Sequence, residues 1–66
     1  MVLNPDRKKV YMLQVMFPDT SPLDCVIVPG DKLDEVVCEH KMLYPNYKRI
    51  VIYDADTKEA VDIIRP

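Results

Sequence analysis

Between Val10 and Phe17 the chain reads V-Y-M-L-Q-V-M-F, an apolar run broken only by Gln14. Its β-branched and aromatic content predicts a strand. A period of two divides it into one face of Tyr11, Leu13, Val15 and Phe17 and another of Val10, Met12, Gln14 and Met16. Both faces are largely apolar. Pro18-Asp19-Thr20-Ser21-Pro22 stops the strand, because proline has no N–H to give to a ladder. Leu23–Val28 is predicted as a second, shorter strand, with Leu23, Cys25 and Ile27 on one side and Val26 and Val28 on the other.

Pro29-Gly30-Asp31 is the sharpest local signal. Proline sets the first corner of a type II turn, and glycine accepts the positive φ of the second. Gly30, the only glycine in the sequence, is therefore expected to serve the backbone. Asp31 is expected to cap the helix that follows, with Asp34 in its first turn near the free amides. Leu33, Val36, Val37, His40, Leu43 and Tyr44 recur at helical spacing, while Asp34, Glu35, Cys38, Glu39 and Lys41 occupy the other faces. Pro45 and Asn46 end this helix. Tyr47–Asp54 and Glu59–Arg65 read as two further strands, joined by a hairpin loop at Ala55-Asp56-Thr57-Lys58.

The prediction is an α+β fold. A single small domain over residues 9–66 has the order β-β-α-β-β, with an antiparallel or mixed four-stranded sheet, one helix on one face and a flexible tail at 1–8. This order is similar to that of ubiquitin-like β-grasp domains. Sulfur carriers and modifiers of that kind end in paired glycines, whereas this sequence closes on Ile64-Arg65-Pro66, so no carrier role is expected.

One helix covers one face of a sheet and leaves the other bare. Tyr11, Leu13, Val15, Val51, Tyr53, Val61 and Ile63 are candidates for one side, and Val10, Met12, Met16, Ile50, Ile52 and Ile64 for the other. Whichever set meets the helix, a second apolar surface remains, of a size that monomers seldom expose. A chain of 66 residues also has little core with which to offset its conformational entropy. Another protein surface is the expected remedy. The sequence thus predicts a small non-enzymatic protein–protein interaction module, a homodimer, acting as an accessory or inhibitor protein that binds a larger enzyme. Its interface candidates are Met12, Met16, Ile50, Ile52 and Tyr47, with Glu35 and Glu39 on the acidic helix face.

Charge changes this picture only slightly. Eleven acids against nine bases give a net charge of -2, which offers no strong attraction to nucleic acid or to an anionic membrane. The alternative function is a nucleic-acid-associated regulator using Arg7, Lys8 and Lys9 with Lys48 and Arg49, clusters that would adjoin if the first and third strands were neighbours. Phosphate mimicry by Asp31, Asp34, Glu35, Glu39, Asp54, Asp56 and Glu59 would call for a larger charge imbalance.

Candidate chemistry is sparse. Cys25, Cys38 and His40 are the only soft ligands, and Cys38 and His40 point to opposite sides of a helix. No metal, cofactor or catalytic constellation is expected. Asp54-Ala55-Asp56-Thr57 follows an apolar strand as a phosphotransfer loop would, but solubility and turn formation account for it in a chain of this length. Basic residues precede the Val10–Phe17 run as in a leader, yet the run is short and alternates like a strand. A cytoplasmic protein with free thiols and no membrane span is expected.

Overall fold

The computed structural model describes residues 6–66. Strands β1 (Val10–Met16) and β2 (Val26–Pro29) are followed by a single 3-10 turn at Gly30–Lys32, helix α1 (Leu33–Leu43) and strands β3 (Arg49–Asp54) and β4 (Ala60–Ile64). The sheet has the order β2-β1-β3-β4, and every neighbouring pair is antiparallel. The α+β class and the β-β-α-β-β order stand as read from sequence, and the sheet is antiparallel rather than mixed.

Directly opposed residues of an antiparallel pair share a face. Leu13 lies opposite Ile52, Val15 opposite Ile50, and Ile50 opposite Ile64. These side chains form one face, and Leu33 and Val37 of α1 close over it to make the core with Tyr11, Val28 and Tyr47. Met12 lies opposite both Ile27 and Tyr53, and Val51 lies opposite Gln14 and Ile63. That second set forms the face turned away from the helix.

The cross-strand grouping expected from sequence is therefore corrected. Ile50 and Ile52 are 0% exposed and belong to the core, not to a free face beside Met12 and Met16. Tyr47 is also a core residue. Alternation within one strand says which of its own residues share a face. The relation between strands depends on register, which neither periodicity nor composition encodes.

Gly30 is corrected as well. It has no positive φ; it opens the 3-10 turn and donates its N–H to the Lys9 carbonyl at 2.9 Å. A Cβ at this position would collide with the Asp6 carbonyl oxygen and crowd that of Lys9. Close backbone approach, rather than a left-handed turn, demands the glycine. Asp31 does not cap α1: the cap position is Lys32, and no side chain bonds there. Leu43 is exposed despite its helical spacing, because it falls in the last turn, beyond the Leu33–Val37 pair that meets the sheet.

The second strand is shorter than expected at its start. Leu23 still donates its N–H to the Val15 carbonyl at 3.1 Å, and its own carbonyl accepts from Gln14 Nε2 at 3.1 Å. A side chain thus takes the place of a ladder partner, and the backbone rejoins the sheet only at Val26. Of the tail expected at 1–8, residues 1–5 lie outside the described residues. Asp6–Lys8 form a turn in which the Asp6 N–H donates to the Tyr11 hydroxyl at 3.0 Å and the Lys8 N–H to Asp6 Oδ1 at 2.9 Å.

Candidate interaction surface

The open face is built by alternate residues of all strands. Val10, Ile27 and Ile63 are 41%, 70% and 43% exposed. Met12 and Met16 are half-buried between them on β1. Val51 is buried at the middle of this face although it is not part of the helix-side core, with Gln14 and Ile63 opposite it on the two neighbouring strands. Tyr53 directs its hydroxyl along the same surface to Gln14 Oε1 at 3.4 Å. A register shift between Ile52 and Tyr53 leaves Val61 without an opposed partner in β3, and its side chain is exposed. The surface is neutral through its centre; Arg49 and Arg65 stand at one end.

The hydrogen-bond parity of the sheet defines its edges. The Ala55 N–H donates to the Val10 carbonyl, and the Asp54 N–H to that of Glu59. Even-numbered residues of β3 therefore face β4, and odd-numbered ones face β1. Ile63, opposite Val51, consequently points its N–H outward, where Asp62 Oδ1 accepts it at 2.9 Å. On the far side the Gly30 N–H bonds to Lys9, so Ile27 and Pro29 face outward, and of these Pro29 has no N–H. Each edge is thus partly stopped, by a missing donor in β2 and by an occupied donor in β4.

The hairpin between β3 and β4 matches its sequence prediction. Asp54 Oδ1 accepts the Asp56 N–H at 2.8 Å and that of Thr57 at 3.4 Å, while Lys58 takes φ 62° and donates its N–H to the Asp54 carbonyl. Lys9 Nζ meets Asp54 Oδ2 at 2.9 Å. The Lys9 ammonium, aided by the Asp56 and Thr57 amides, holds the Asp54 carboxyl below its ordinary range, and Asp54 in turn raises Lys9. These bonds explain Asp54 as a turn-forming acid, with no phosphotransfer chemistry required.

Antiparallel pairing corrects one sequence expectation about charge. The strands β1 and β3 are neighbours, but Arg49 lies opposite Met16 and Asp54 opposite Tyr11. Arg7–Lys9 and Lys48–Arg49 therefore sit at opposite ends of β1, roughly 20 Å apart at strand rise. They do not combine into one basic patch. Lys48 and Arg49 instead meet Arg65 and Pro66 around a cleft of about 230 Å³.

Of the remaining candidates, Glu35 and Glu39 are exposed on α1, and Lys32 pairs with Glu35 at 3.8 Å. Cys25 and Cys38 are free and exposed. His40 donates from Nδ1 to the Val36 carbonyl at 2.9 Å, and its ring lies 5.9 Å from that of Tyr44. Among the described residues no group of three or more His, Cys, Asp or Glu side chains converges as metal ligands would, and no helix is long and apolar enough to cross a membrane. Sequence reasoning missed Ile27, Ile63, Val51 and Arg65 as surface or site residues. The signal for the first three was parity combined with register, and the register had to be seen. Comparison of the chain with protein-family models, with curated proteins and with solved structures finds no match.

Proposed function

We propose that this chain is a small non-enzymatic protein–protein interaction module that pairs with a second copy of itself through the open face of its sheet. The observation that carries this reading is the run of apolar side chains across that face, Val10, Met12, Ile27, Val51 and Ile63, with Ile27 70% exposed. A neutral, apolar centre calls for a neutral, apolar complement, and two-fold symmetry supplies one from the same residues. Met12 and Met16 suit such a contact because their unbranched side chains adapt to irregular gaps.

The edges favour the face over strand addition in part, since Pro29 offers no N–H and that of Ile63 is already taken, while the Ile27 N–H alone still points outward on β2. Charge favours one orientation of the pair. A two-fold axis running across the strands separates the two Arg49–Arg65 ends, whereas an axis along the strands would stack like charges. Helix α1, with Glu35 and Glu39 exposed, stays outside the pair and remains free for a larger partner, the accessory or inhibitor role expected from sequence. Free thiols at Cys25 and Cys38 suit a cytoplasmic setting.

Light scattering over a wide concentration range tests the pairing. The expected mass is twice the 7.7 kDa of one chain, and Ile27→Asp or Ile63→Asp should give folded monomers. A wild-type monomer at all concentrations, or unchanged mass in both charged variants, would overturn the reading.

A further inference from the structure

The end of the sheet that carries Lys48, Arg49 and Arg65 poses an electrostatic problem that the chain itself does not solve. Arg49 lies opposite Met16, on the open face. Arg65 follows Ile64, the last residue paired with β3, and lines the same cleft as Arg49. Like charges brought close together repel one another. Lys48 adds a third cation to the same cleft of about 230 Å³.

Two observations show that these cations lack a direct side-chain partner. The ion pairs among the described residues are Lys9–Asp54 and Lys32–Glu35, and neither involves these three cations. Moreover, Arg49 Nε is shielded from solvent and has no hydrogen-bond acceptor. A guanidinium N–H without water or acceptor is among the more costly groups to leave unmade. Other parts of the Arg49 side chain line the cleft.

We infer that the Lys48–Arg49–Arg65 cleft binds a terminal phosphate group. A dianionic phosphate brings close to two negative charges and several acceptor oxygens, enough to engage both guanidiniums and the ammonium together. A carboxylate brings one charge and two oxygens and leaves the two arginines undercompensated. The planar guanidinium of Arg49, a residue that lines the cleft, is matched to phosphate oxygens through its terminal nitrogens, Nε itself being closed off from solvent. The cations converge on one cleft instead of forming a stripe, which fits a single end group better than a polymer backbone. The site lies at the end of the sheet, outside the apolar centre of the open face, and does not depend on pairing of the chain.

The test is an NMR titration of the full chain that follows the Arg49 Nε–H resonance as inorganic phosphate replaces chloride at constant ionic strength. A saturating shift is expected. Arg65→Gln, at an exposed position, should keep the wild-type spectrum elsewhere and weaken phosphate binding about tenfold, the loss of one charge-assisted contact. Acetate at the same concentrations should give no saturating shift. A linear phosphate response, an equal response to acetate, or an unchanged midpoint in Arg65→Gln would overturn the site. Short oligonucleotides with and without a 5′-phosphate distinguish the sources. Binding that needs the 5′-phosphate supports an end-group site, and equal binding without it, with a steep salt dependence, overturns it in favour of a backbone tract.

Discussion

Lys9 Nζ stands 2.9 Å from Asp54 Oδ2, tying the approach to β1 to the last residue of β3. The same carboxylate organises the hairpin through the Asp56 and Thr57 amides, so one acid fixes both a strand pair and the turn that follows it. Asp54 is held below its ordinary 3.8, chiefly by the Lys9 hydrogen bond, and Lys9 is raised above 10.5 by Asp54. The depressed acid stabilises the fold fully above 3.8, and its contribution is lost as pH falls through the folded value. The raised base contributes fully below 10.5 and loses its contribution as pH rises through the folded value. Urea midpoints measured against pH should therefore fall less steeply at both extremes in Asp54→Asn than in the wild type. Parallel curves would deny the pair any role in stability.

Gly30→Ala should destabilise the fold by about 1–3 kcal/mol, the cost of forcing a methyl group into a filled space. The methyl would meet backbone, the carbonyls of Asp6 and Lys9, and backbone cannot swing aside as a long side chain can. Because φ at Gly30 is not positive, the penalty comes from contact alone. Denaturant unfolding reads it directly. A neutral substitution would mean that the Asp6 turn does not pack against this site in solution.

Lys58 is the one described non-glycine residue with a positive φ, at 62°. A side chain there costs roughly 1–2 kcal/mol relative to glycine. Lys58→Gly should raise stability by about 0.5–1 kcal/mol once the added flexibility of the unfolded chain is subtracted. The thermal midpoint should rise. A fall would place the residue outside the left-handed region.

The two faces of the sheet should respond in opposite ways. Ile52→Ala removes a fully buried side chain from the helix-side core and should cost about 2–5 kcal/mol with no effect of its own on association. Ile63→Asp, at a 43% exposed position opposite Val51 on the other face, should leave the chain folded and abolish pairing at a concentration where the wild type pairs. Unfolding midpoints together with solution mass separate the two effects. If both variants only unfold a monomer, the two-faced account of the sheet fails.

Gln14 bridges Leu23 and Tyr53 and holds the segment that enters β2. Gln14→Ala should cost about 0.5–1.5 kcal/mol, one net hydrogen bond, and should speed amide exchange at Leu23 and Val26 well before it affects β3. Equal acceleration in both strands would mean a global loss of stability instead.

The elements themselves were legible because their signals are local. Alternation marks β1, the helical spacing of Leu33, Val36 and Val37 marks α1, and Asp54 with Thr57 marks the hairpin. What the chain does across strands was not. Ile50 and Ile52 were placed with Met12 because parity inside each strand is readable and the offset between strands is not. The same gap separated Arg49 from Arg65 in sequence, although the fold brings both to one cleft. Gly30 shows a different limit. Its Pro-Gly context matched a familiar turn, while the real demand came from Asp6, twenty-four positions away.

Pro29 and the Asp62–Ile63 contact bear on what this chain does when crowded with copies of itself. A cross-β fibril lengthens only if each newly added strand offers a fresh row of donors and acceptors to the next. Here an arriving copy would present a row interrupted at Pro29 on one edge, or at the Ile63 amide held by Asp62 on the other. Ile63 and Ile27 can still be buried by stacking faces, a contact that covers the apolar face of both partners at once. A chain almost half apolar, 48% by composition, thereby has a route to satisfy its exposed residues that ends at a finite particle and not in a growing filament.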